Sequence, residues 1–195
     1  MSKLAVAIVA AALPFGALAA PESYTMDPYH TYPNFEVDHL GYSKMRGRFD
    51  KSAGKFTIDT AAKTGSLDLT VQTASISTGD NDKGTRPRAR DEHLRTADFF
   101  NVAEFPTMTY KATTVRFSGD NVTSVEGNLT LLGVTKPLTL SVEGWKCGPH
   151  PVSKRAMCGA NAQGTFKRSD FGMKFGVPGV GDEIKLWVEV EGFKD

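Results

Sequence analysis

The sequence predicts an all-β fold, a meander of antiparallel strands curled into a barrel around an apolar interior. Three observations carry that expectation. Aliphatic residues alternate with charged or polar ones along segment after segment, the period of a strand with one buried face. Glycine-centred turns at Gly119-Asp120-Asn121 and at Gly133-Val134-Thr135-Lys136-Pro137 join neighbouring segments closely enough to pair them as hairpins. Gly47, Gly65, Gly127 and Gly164 fall within or beside strand segments, where glycine marks the bends of a strongly curved sheet. A long antiparallel sheet with one apolar face must bury that face on a second sheet or close on itself. The glycines favour closure.

Residues 1–19 stand apart from this pattern. Lys3 supplies a positive start, Leu4 to Leu18 is an apolar run broken only by Pro14 and Gly16, and Ala17-Leu18-Ala19 is a small-x-small cleavage site. The run falls short of the ~20 apolar residues that span a bilayer. No cysteine follows the cleavage site, which excludes a lipoprotein. The segment reads as a removed secretory signal peptide, leaving residues 20–195 as a single domain large enough to bury a sizeable core. The 195-residue chain carries 23 Lys and Arg against 22 Asp and Glu. A charge so close to zero gives no support for a nucleic-acid partner. No later stretch is long and apolar enough for stable membrane insertion.

The strands follow in order. Tyr24 to Asp27 is short and ends at Pro28. Next, Phe35, Val37 and His39 alternate with Asn34, Glu36 and Asp38. Met45 to Lys51 and Lys55 to Asp59, the latter with Phe56 inward, are separated at Ser52-Ala53-Gly54. Leu67, Leu69 and Val71 form the cleanest period-two run of the first half. Thr107 to Phe117 places Met108 and Tyr110 on one side, and Val122 to Leu132 returns with Leu129. Leu140 and Val142 alternate into Trp145. In the final large hairpin Ala160, Ala162 and Gly164 share the parity of Phe166, while Leu186 and Val188 alternate with Lys185, Trp187 and Glu189. Small residues on the inward face would leave room inside. One segment departs from the rule: Thr85 to Phe100 is rich in Arg, Ala, Glu and Leu, with Pro87 near its start, and predicts a short helix. Lying across one end of the sheet, it could plug that end with Leu94, Phe99 and Phe100.

Cys147 and Cys158 flank a turn containing Gly148, Pro149 and Pro151. Outside the cytoplasm such a pair favours a disulfide across the mouth of a hairpin over free thiols or a metal pair, because His150 alone is too few additional ligands. Catalytic signatures are missing: there is no G-x-S-x-G, H-E-x-x-H or G-x-G-x-x-G. Gly79 to Thr85 resembles a phosphate or calcium loop only in part and reads as an exposed loop. No metal or cofactor is expected. His39 has the parity of Phe35 and Val37 and could meet a ligand head group from inside, although a histidine satisfied by the protein is commoner. Arg168 and Asp170 could pair with each other or with Asp27, and a structural role is expected there. Arg86, Arg88, Arg90 and Arg95 could meet a phosphate at a cavity mouth, but Asp91, Glu92 and Asp98 beside them favour a solvated face.

Four stretches together resemble the YceI-like polyisoprenoid-binding family: YTMDPYHTYPNFEVDHLG (Tyr24–Gly41), RDEHLRTADFFNVAEFPTMTY (Arg90–Tyr110), GNLTLLGVTKPLTL (Gly127–Leu140) and FKRSDFGM (Phe166–Met173). The resemblance spans essentially the whole chain after residue 19, in the family's order. Thr31 stands where the family usually has serine, and Pro33, where it commonly has an aliphatic residue or serine, suggests an edge or bulge. The resemblance implies an extended, lipocalin-like barrel of about eight strands with a helix near one end. It also implies an elongated apolar cavity for a long isoprenoid or fatty chain, and secretion to the bacterial periplasm.

On this reading the protein is no enzyme but a periplasmic carrier, a monomer or homodimer, for an isoprenoid-type lipid, with quinones among the candidates. Burying ~400 Å² of lipid tail would gain ~10 kcal/mol before the costs of binding. Two other readings stay open from the residues: an enzyme acting on a hydrophobe in the same cavity, and an interaction domain whose inward side chains fill the barrel.

Overall fold

The computed structural model describes residues 20–195, so the expected signal peptide at 1–19 lies outside the described residues. The chain forms β1 (Glu22–Met26), β2 (Tyr32–His39), β3 (Ser43–Phe49), β4 (Ser52–Asp59), β5 (Thr64–Gln72) and β6 (Ile76–Ser77). The one α-helix among the described residues, α1 (Arg90–Leu94), precedes β7 (Thr107–Ser118), β8 (Asn121–Leu131), β9 (Val134–Pro149), β10 (Ala156–Lys167) and β11 (Val180–Lys194).

Every pairing is antiparallel, and the sheet closes where β1 pairs with β11. The early strands are broken rather than separate. β11 meets β2 as far as Tyr32 opposite Glu189, then meets β1 from Met26 opposite Gly192. β3 and β4 form the next wall strand in the same way, because β3 pairs with β2 and β4 with β1. β5 and β6 form the third, on β4 and β3. With β7 to β11 the wall is a closed barrel of eight strands with one short helix.

A side chain repairs the break between β1 and β2. Thr31, fully buried, donates its hydroxyl to the Glu191 carbonyl and accepts from the Glu191 N–H, each at 3.3 Å. Ser52 at the matching break donates to the Thr31 carbonyl at 2.6 Å. Pro33 sits just beyond the break, opposite Val188, before the β2–β3 pairing begins at Asn34. Its missing N–H is tolerated there.

The barrel has two unlike ends. At one, the turns 60–63 and 119–120 and the loop 150–155 join strands directly. Cys147 and Cys158 face each other across β9 and β10, with Cα atoms 4.1 Å apart, and are bonded. The other end carries the hairpin 40–42, a two-residue turn at 132–133, and two long segments, 78–106 and 168–179.

Two expectations need correction here. The turn placed at Gly133–Pro137 is only Leu132-Gly133, both left-handed (φ 50° and 73°), so β9 begins at Val134. That conformation matches the twist of a hairpin and needs no further residues. The helix expected over Thr85–Phe100 shrinks to Arg90–Leu94 and has no side-chain cap. Long-range bonds override its propensity: buried Asp91 accepts from the Thr78 N–H and hydroxyl at 2.9 and 2.6 Å. Arg95 donates to the carbonyls of Ala74 and Ile76.

Candidate functional site

The inward faces of the wall strands do not meet. Between them lies a void of about 180 Å³, measured as the space open to the centre of a water-sized sphere. On the same measure one water needs only ~10–15 Å³. From β2 the void is lined by Phe35 and Val37, from β4 by Phe56, and from β5 by Leu67, Leu69 and Val71. Met108 and Tyr110 of β7, Leu129 of β8, and Leu140 and Val142 of β9 continue the wall. Ala162 and Phe166 of β10, with Leu186 and Val188 of β11, complete it. Period-two alternation put all of these on one face, and closure brings the faces together.

His39 is the exception. It is exposed and does not reach the void. Parity places it on the inward face, but β2 ends at His39, and Leu40 and Gly41 turn back with positive φ of 57° and 72°. Beyond the barrel rim there is no opposite wall to enclose it.

The lining extends beyond the residues expected to bind the ligand. Ile184 and Val190 continue the β11 stripe, Ala160 lies where its parity with Phe166 put it, and Gly159 lines the void beside a register shift in β10. A roof covers one end. Leu94, Phe99 and Phe100, the residues read from the sequence as a plug, reach the void from the 78–106 segment; Arg168 and Met173, which sequence reading did not place there, reach it from 168–179. The roof is stitched by aromatic contacts: the rings of His93, Phe99 and Phe175 meet edge to face at 5.0–5.4 Å. Phe100 packs edge-on against Phe49 of β3 at 5.3 Å. His93 Nε2 lies 2.7 Å from Asp98, a bond that, with Arg88, holds the Asp98 carboxyl below its ordinary pKa.

Arg168 anchors the second half of the roof. It is 2 % exposed and has the structural role expected of it, but not through the ion pair considered with Asp170 or Asp27. Its guanidinium instead donates to the backbone carbonyls of Gly181, Met173, Phe175 and Val180 at 2.8–3.1 Å. Burial pulls its pKa below the ordinary value, opposed by the more distant charge of Asp182. Asp182 itself accepts from the Ser169 N–H and hydroxyl at 2.9 and 2.8 Å. Burial raises the Asp182 pKa, but those bonds outweigh it and the net shift is downward.

The arginines of the 78–106 segment are already engaged. Arg86 and Arg90 meet Asp80, Arg88 meets Asp98, and Arg95 meets backbone. Tyr110, in mid-wall, donates to the Leu138 carbonyl at 2.8 Å and lies 3.1 Å from that of Val125, and burial raises its pKa. Among the described residues no cluster of His, Cys, Asp and Glu has the geometry to hold a metal ion, and no helix is long and apolar enough to cross a membrane. The arrangement can therefore sequester an apolar chain; nothing in its wall pairs a nucleophile with a base.

Comparison with known proteins agrees with this architecture. The YceI-like domain family model matches residues 24–192. The protein YceI of Salmonella arizonae is 37 % identical over 178 residues, covering 90 % of this chain and 88 % of that protein. Among solved structures, the YceI protein of Campylobacter jejuni superposes with a TM-score of 0.66 at 28 % identity, covering 81 % of this chain and 90 % of its own. BcnA of Burkholderia cenocepacia gives 0.69 at 20 % identity, over 85 % and 98 % of the two chains. A polyisoprenoid binding domain from Saccharophagus degradans gives 0.65 at 16 %, over 89 % and 99 %. These last two speak to the fold. With the family model spanning nearly the whole barrel and a relative of this identity beside it, the chain belongs to the YceI-like family.

Proposed function

We propose that the protein is a carrier or store for a long isoprenoid-type lipid, with quinones among the candidates. The tail is held reversibly inside the barrel and no bond is made or broken. The observation that carries this reading is the void: its wall is apolar apart from Ser66, Thr109, Tyr110 and Arg168. A space that water would occupy only at the expense of hydrogen bonds suits a hydrocarbon guest. The void also weighs against a filled barrel. A like-folded domain that bears the name polyisoprenoid binding lends support from outside the chain.

The secretory leader and the disulfide together support residence in the periplasm, with 1–19 removed and 20–195 as the working domain. The test is extraction of the purified mature protein with organic solvent followed by mass spectrometry, alongside uptake of a fluorescent isoprenoid. A co-purifying prenyl lipid, or saturable uptake, is the expected result. An empty extract together with no uptake would end the proposal.

A further inference from the structure

β9 changes parity partway along. Leu138, Leu140 and Val142 line the void, and plain alternation would next bring in Gly144 and send Trp145 outward. Instead Gly144 takes a left-handed φ of 67°, and the register with β10 shifts between Glu143 opposite Asn161 and Lys146 opposite Gly159. Gly144 and Trp145 together face Ala160, a bulge with glycine at its first position, which re-aims the side chain that follows. Trp145 therefore lines the void.

Once turned inward, the indole crosses the lumen. It meets the Phe56 ring of β4 edge to face, with ring centres 6.2 Å apart. β9 and β4 stand opposite each other in the wall: β10, β11 and the β1–β2 strand separate them one way round, and β8, β7 and the β5–β6 strand the other. Phe56 is braced in turn, stacked on Tyr24 at 4.9 Å and lying over Gly192, where any side chain would strike it. Tyr24 and Cys158 at this end are buried, yet neither borders the void. The space stops at the aromatic pair.

We propose that Trp145 is the length gauge of the cavity, setting how much of a prenyl chain the barrel encloses. The assignment rests on the carrier reading above. Strands at the disulfide end are joined directly, so a guest comes in past the roof and its tip advances toward the indole. Each further carbon buried on the way adds a similar increment of affinity. A tip that has reached Trp145 can go no deeper, and a longer chain leaves its extra carbons in water. Affinity therefore climbs with chain length and then levels. The bulge builds the gauge into the backbone, and Phe56 keeps the indole from swinging aside.

The test measures binding of all-trans prenyl alcohols, growing by single isoprene units from geraniol to solanesol, to the intact mature protein and to Trp145→Ala. The wild type should reach its plateau within the series. The substitution should move the plateau up by about one isoprene unit and tighten the first chain past the wild-type limit about tenfold. A second arm does not depend on the stability of that variant. Trp187 shares the outward parity of Lys185 and Glu189 and borders no part of the void, and it is the only other tryptophan of the chain. In Trp187→Phe the emission of Trp145 should shift only for chains at or above the plateau length. A plateau unmoved in folded Trp145→Ala, affinity that climbs without levelling, or emission that does not distinguish short chains from long overturns the gauge and leaves the carrier reading standing. Uptake of no member of the series overturns both.

Discussion

At one end of the barrel, β9 and β10 are joined by a covalent bond and neighbouring strands turn back through short loops. At the other end, two long segments with little regular structure fold over the opening, held by Arg168, Asp91, Asp182 and three rings that meet edge to face. The first closure is local, between residues 11 positions apart that face each other in register. The second is non-covalent: its hydrogen bonds join groups 5 to 21 positions apart, mostly from side chain to backbone, and its rings join one segment to the other. On the carrier reading proposed above, the roofed end is the one that would open, because polar closure is the kind that a change of conditions can undo.

Removing Arg168 should have the largest effect. Arg168→Met removes the donors of four carbonyls, one buried and three partly buried, and is expected to lower stability by about 3–5 kcal/mol. Urea unfolding measures it, and a loss under about 1 kcal/mol would mean that the roof does not depend on this clamp. Next comes the opposite end. Replacing Cys147 and Cys158 together should cost about 3 kcal/mol, since the closed loop is short. Hydrogen exchange should then rise around 150–155 and stay unchanged over 168–179; a rise at both would show that the ends are coupled. Between the ends, Tyr110→Phe removes one buried donor and should cost about 1 kcal/mol, read from the shift in thermal midpoint.

Acid should separate the ends with the smallest perturbation. Asp98 and Asp182 both have folded pKa values below the ordinary 3.8. Their stabilisation is therefore complete above about pH 4 and is lost as the pH falls through the lower folded values. Proteolysis by an acid-active protease between pH 4 and pH 2 should cut within 78–106 or 168–179 first, with the disulfide hairpin resistant. Earlier cutting at 150–155 would reverse the comparison.

Much of the wall could be read from the sequence because a strand writes its buried face every second residue. Phe35 and Val37, Leu67 to Val71, and Leu186 and Val188 needed no knowledge of their partners. The roof could not be read this way. Arg168 bonds to carbonyls, which any residue supplies, so no partner type in the sequence marks it. The helix over Thr85–Phe100 failed for a related reason: its Arg, Ala and Leu favour helix locally, while Asp91 and Arg95 spend their bonds on Thr78, Ala74 and Ile76. The error at His39 came from extending parity past the point where the wall ends. The breaks in the early wall strands were hidden because Thr31 mends the first of them across 160 residues of chain.

The seam between β1 and β11 sets Tyr24 beside Lys194. Nascent chains lacking their final segment therefore have a gap in the circumference, and every preceding strand must wait for the last to arrive. Such distant pairing slows folding, and a shortened chain would expose a raw edge inviting neighbouring molecules to dock.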